Sequence, residues 1–117
     1  MCMGEKEAID SVENALKKDY SDKLHLYRSK DTYLEIANKE ISKLTGIKSL
    51  LAHKYPALRL ENCIAFGDNY NDMEMLKAVK VGVAVANAKA EVLAVADVVV
   101  DTNKEDGVAK GIAQFLG

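Results

Sequence analysis

Asp68, Asn71 and Asp72 fall within five consecutive positions near the middle of the chain, in the run Gly67-Asp68-Asn69-Tyr70-Asn71-Asp72-Met73-Glu74. The apolar stretch Cys63 to Phe66 precedes them, and residues suited to opening a helix follow. A strand that stops at a carboxylate and hands over to a helix N-terminus sets an acid beside a group of outward-pointing N–H donors. At the C-terminal edge of an open α/β sheet, where ligands bind, that arrangement suits a metal and a phosphate together. The same residues have a plainer reading. Gly-Asp pairs mark turns, and Asn71 with Glu74 has the spacing of a capping box for the next helix. Capping and ligand binding are compatible. A calcium loop is a poor alternative, because counting from Asp68 puts Tyr70 third and Met73 sixth, where an oxygen ligand and a glycine belong.

Lys43 stands at the predicted start of the helix before this strand, where a cation opposes the helix dipole unless an anion is near. Taken alone it reads as one more surface lysine. His25 and His53 have no partner at useful spacing and read as surface or hairpin residues. Gly46, Gly82 and Gly107 read as packing or turn glycines, and Asn87-Ala88 and residues 103 to 106 as helix starts. Cys2 and Cys63 lack metal-ligand spacing; the first sits at an N-terminus expected to fray and the second in a strand expected to be buried, so both read as free thiols in a reducing cytosol.

The elements that must position these groups follow from periodicity. Ala8, Ile9, Val12, Ala15 and Leu16 recur at helical spacing over residues 5 to 18. Residues 24 to 28 and 32 to 36 alternate in character on either side of Ser29-Lys30-Asp31, which predicts a hairpin. From about residue 37 the pattern becomes strand and helix in alternation, the signature of βαβ units and a parallel sheet. Leu44, Ile47, Leu50, Leu51 and Tyr55 form the stripe of a helix that the sole proline, Pro56, ends. Residues 63 to 66, 81 to 86 and 98 to 100 are apolar without alternation, as expected of strands covered on both faces. Helices over residues 72 to 78, 88 to 93 and 105 to 116 supply the cover. The fold class is therefore α/β, with a change of organisation between residues 36 and 40.

With 117 residues, 49% hydrophobic and 29% charged, and a formal net charge of -2, the chain has the make-up of an ordinary globular domain. Nothing in it is basic enough to imply a nucleic-acid partner. No apolar run approaches the roughly 20 residues of a membrane helix, so no membrane partner is expected and the location read from the sequence is cytoplasmic.

Several motifs in register resemble the C-terminal part of Cof-type phosphatases in the haloacid dehalogenase superfamily. They are Leu34-Glu35-Ile36, the run from Ile41 to Gly46, Gly67 to Leu76, Val83-Ala84-Val85-Ala86-Asn87-Ala88, Ala96-Asp97, and Glu105-Asp106-Gly107-Val108. The resemblance implies a partial Rossmann-like core with helices on both faces over residues 37–117, preceded by a helix-plus-hairpin remnant of the cap domain over residues 1–36. It implies Mg²⁺-dependent hydrolysis of a small phosphorylated metabolite through an aspartyl-phosphate. In those terms Lys43 neutralises the phosphate, Asp68 binds Mg²⁺, Asn71 contacts phosphate, and Asp72 orients the lysine and the loop.

The family carries its nucleophile on a first strand, in an Asp-x-Asp-Gly motif, and this chain contains no Asp-x-Asp. It therefore corresponds to roughly the last two-fifths of such an enzyme. By itself it is expected to turn over no substrate and to bind Mg²⁺ weakly or not at all. Its expected partners are a complementing N-terminal polypeptide or further copies of itself, which would cover the strand edge left open. The competing reading is a non-catalytic binding or assembly module built on the same remnant.

Overall fold

The computed structural model describes residues 1–117, which divide into two compact units, Met1–Ser42 and Lys43–Gly117. In the first, a short strand β1 (Cys2–Met3) precedes helix α1 (Lys6–Tyr20) and the hairpin β2 (Leu24–Lys30) and β3 (Tyr33–Asn38). The three strands form an antiparallel sheet in the order β1-β3-β2. The N-terminus is thus tied down and not frayed: Cys2 pairs with Leu34 and Met3 with Tyr33. The hairpin runs past residue 36 because Ala37 and Asn38 still pair with His25 and Leu24, so the unit closes only at Ser42. Ile9 of α1 and Leu34 of β3 are buried. Arg28 on β2 donates to Asp10 of α1 at 2.8 Å and to Glu13, which pins the helix to the hairpin by charge-assisted hydrogen bonds.

The second unit alternates helix and strand: α2 (Lys43–Lys54), β4 (Ile64–Gly67), α3 (Met73–Ala78), β5 (Val81–Val85), α4 (Ala90–Val95), β6 (Val98–Val100) and α5 (Gly107–Leu116). The strands are parallel, in the order β4-β5-β6, with Ile64 opposite Val81 and Val83 opposite Val98. Ala65, Met75, Leu76, Val79, Ala84 and Val92 make the core on one face, with Leu44 and Ile47 of α2 packed against it. On the other face α5 lies so close that a Cβ at Gly111 would be 2.7 Å from the ring of Phe66. Gly82 is a packing glycine in the same sense, since a side chain there would run into the Leu76 carbonyl.

Three local expectations change. Gly46 neither packs nor turns; it lies inside α2 with nothing within 4 Å of an added Cβ. Cys63 precedes β4 instead of lying in it, and is half-buried with its thiol donating to the Arg59 carbonyl at 3.4 Å. The strands are not equally covered: β5 is buried through Val83 and Ala84, whereas Val99 in edge strand β6 is 50% exposed. β4 is the other edge, flanked by an apolar groove of about 390 Å³ lined by Asn62, Ile64, Phe66, Ile112, Phe115 and Leu116. No helix is long and apolar enough to cross a membrane.

Candidate functional site

β4 ends at Gly67, and the chain turns through Asp68 and Asn69 into a 3₁₀ turn, Tyr70–Asp72, that leads directly into α3. The turn is capped two residues earlier than Asn71 and Glu74 imply. Asn69 is the capping residue, its Oδ1 accepting from the Tyr70 amide at 2.8 Å, and Asp72 reciprocates by accepting from the Asn69 amide at 3.1 Å. The shift follows from the tight 3₁₀ turn, which places Asp72, not Glu74, three residues beyond the cap.

Asp72 is the centre of this loop. It is the one buried polar or charged residue, 1% exposed. Its Oδ2 accepts from the Asp68 amide at 2.9 Å as well as from Asn69, and its Oδ1 accepts from the Lys43 ammonium. Burial would raise the carboxyl's pKa, but the hydrogen bond from Lys43 and those from the Asp68 and Asn69 amides outweigh it and hold the pKa below the ordinary value. Gly67 makes the geometry possible, since a Cβ there would lie 2.5 Å from that of Asp72. The sequence signal for this requirement is a glycine immediately before the loop.

Lys43 is the first residue of α2, and its side chain is 51% exposed while that of Asp72 is 2% exposed. The lysine thus lies at the boundary between a buried anion and solvent. Asn71 is half-buried in the middle of the 3₁₀ turn. Asp68 is exposed and lines a cleft of about 200 Å³ at the C-terminal ends of β4 and β5, together with Phe66, Gly67, Val85, Asn103 and Val108. Structure therefore gathers the four predicted residues onto one loop and the helix end beside it. Asn103, read in the sequence only as part of a helix start, joins the cleft from the loop after β6.

The site offers one hard carboxylate facing water, and no three His, Cys, Asp or Glu side chains converge anywhere in the chain. Such a donor set fits Mg²⁺, which keeps several waters and is commonly held by one or two carboxylates plus a substrate's phosphate. It does not fit zinc, whose protein sites need three or four converging nitrogen or sulfur ligands.

Residues 1–112 match the family model of haloacid dehalogenase-like hydrolases. A putative phosphatase of Haemophilus influenzae is 39% identical over 107 residues, which are 92% of this chain and 40% of that protein. The 5-amino-6-(5-phospho-D-ribitylamino)uracil phosphatase of Bacillus subtilis is 32% identical over 109 residues, 92% of this chain and 43% of its own length. The crystal structure of a haloacid dehalogenase-like hydrolase from Bacteroides thetaiotaomicron superposes with a TM-score of 0.78 at 35% identity, over 96% of this chain and 41% of that one. A subclass IIB sugar phosphatase of the same superfamily does so with a TM-score of 0.80 at 29% identity, over 91% and 40%. The chain spans about two-fifths of the length of the relatives it matches.

Proposed function

Because the chain belongs to the haloacid dehalogenase-like hydrolases, we propose that it is the phosphate- and metal-handling part of a phosphatase that acts on a small phosphorylated metabolite. The observation that carries this reading is the buried Asp72 carboxylate, which fixes the Lys43 ammonium on one oxygen and the backbone of Asp68 on the other. That bond network sets a half-exposed cation and an exposed carboxylate beside the end of one parallel strand.

In this reading residues 37–117 are the C-terminal part of the core and residues 1–36 the remnant of a cap. Asp68 is the metal ligand, Lys43 neutralises the phosphoryl oxygens, Asn71 donates to them, and Asp72 orients the lysine and the loop. Mg²⁺, when bound, supplies charge cancellation on the transferring phosphoryl group. Lys43 adds to that cancellation from a fixed position, which costs no reorganisation as the reaction proceeds. Asp72 is spoken for: buried and accepting three hydrogen bonds, it has no exposed lone pair with which to attack phosphorus. Hydrolysis through an aspartyl-phosphate then needs a nucleophilic carboxylate from elsewhere, in a longer polypeptide or a separate chain, since these 117 residues hold no Asp-x-Asp.

The test is hydrolysis of p-nitrophenyl phosphate with Mg²⁺, by the purified chain alone and mixed with a polypeptide that carries the nucleophile strand of a relative. The chain alone is expected to give no turnover above background, and the mixture to give turnover that Asp68→Asn abolishes. Robust turnover by the chain alone, lost in Asp68→Asn, would overturn the need for an external nucleophile. A mixture that binds but stays silent would favour a non-catalytic binding module.

A further inference from the structure

We infer that Asn103 is a second ligand-facing side chain of the cleft that Asp68 borders, and that Asn87 is the residue that positions it; this rests on Asp68 as the metal ligand. Of the residues lining the cleft, Asp68 and Asn103 alone carry polar side chains, the rest being Phe66, Gly67, Val85 and Val108. The two reach it from loops on strands that are not neighbours, β4 and β6, with the β5 loop between them.

Those loops are laced together in sequence. The Asp68 carbonyl accepts from the Lys89 amide at 3.0 Å, and the Ala86 amide donates to the Val100 carbonyl at 2.9 Å. The final tie is made by a side chain: Oδ1 of Asn87 accepts from the backbone amide of Asn103 at 3.0 Å. On its far side the Asn103 loop is already fixed, because the Gly107 amide returns to the Thr102 carbonyl at 3.0 Å and Asp106 takes a left-handed conformation at φ 57°. Asn87 therefore holds the one end of this loop that its own backbone leaves unfastened.

The chemistry matches a hydrated divalent cation. A cleft of about 200 Å³ has room for several waters at ~30 Å³ each. A carboxylate on one wall and an amide on the other give such a cation one charged and one neutral oxygen partner. The amide NH₂ can in addition donate to an oxygen of a bound phosphate. A neutral partner helps hold the water shell without the repulsion a second carboxylate would bring to an incoming phosphate ester. Residues that hold a ligand in place from behind are worth about ten- to a hundredfold in metal affinity, which is the role assigned here to Asn87.

The experiment is a titration of the ¹⁵N-labelled chain with Mg²⁺ alone, followed by NMR. The Asp68 amide and the Asn103 side-chain NH₂ are expected to shift together with one midpoint. Asn87→Ala is expected to raise that midpoint about tenfold without lowering the melting temperature in proportion, and Asn87→Asp, which keeps an acceptor oxygen, to restore it. Asn103→Ala, on an exposed residue whose backbone bond survives, should raise the midpoint similarly, and Asn103→Asp should lower it. Shifts at Asp68 with none at Asn103, or midpoints unmoved in both alanine variants, would overturn the inference and leave Asp68 standing as the ligand. Silence at both residues would remove the metal assignment of Asp68 and this inference with it.

Discussion

The ammonium of Lys43, at the dipole-disfavoured first position of α2, is paired with the carboxylate of Asp72, which opens α3 from a buried site 29 residues later. Each group answers the other's difficulty: the anion offsets the positive end of α2, and the cation offsets the desolvation of Asp72.

The two halves of this pair are unequal, and mutation should show it. Asp72→Ala leaves the amides of Asp68 and Asn69 without their acceptor, and is expected to cost about 2–4 kcal/mol, because each buried donor left unpaired costs about 1–3 kcal/mol. Lys43→Met leaves Asp72 with its two amide donors, and is expected to cost about 1–2 kcal/mol. Urea unfolding of both variants would measure the difference; equal losses would mean the amide bonds contribute little.

Acid should weaken the fold through Asp72. Its pKa is lowered in the folded chain from the ordinary 3.8, so its contribution is fully present above that value and is lost as pH falls through the lower folded one. Lys43→Met removes the largest opposing partner while burial stays, so the folded pKa moves back toward the unfolded value and that variant should lose less stability on acidification than the parent chain. Urea midpoints recorded between about pH 6 and pH 2.5 for the two proteins would test this; equal falls in the two would exclude Lys43 as a cause of the shift.

Two glycines should respond oppositely to the same change. Gly67→Ala drives a Cβ to 2.5 Å from that of Asp72 and is expected to destabilise by about 2 kcal/mol or more, with loss of any Mg²⁺ response at Asp68. Gly46→Ala meets nothing within 4 Å and is expected to stabilise α2 by about 0.5–1 kcal/mol. Thermal unfolding of the two variants beside the parent chain would check both signs.

Much of this was legible from residue order alone. A period of 3.6 or 2, or a run of apolar residues between turn signals, states which segments are helices, half-buried strands or buried strands, because a local pattern must match the single face or two faces it will cover. Hence the α/β alternation and the parallel pairing of β4 with β5 were readable. What the sequence left open were matters of partnership. Whether Asn69 or Asn71 capped the turn depended on its tightening to 3₁₀ geometry. Whether Cys2 frayed depended on an edge of β3, more than 30 residues away, being free to pair. That Lys43 was more than a surface lysine, and Asp72 a buried anchor rather than a ligand facing water, was decided only when α2 came to rest beside the end of β4. A charge takes its energetic role from what surrounds it in space, through desolvation and the donors within reach, and neither is a property of neighbours in the chain.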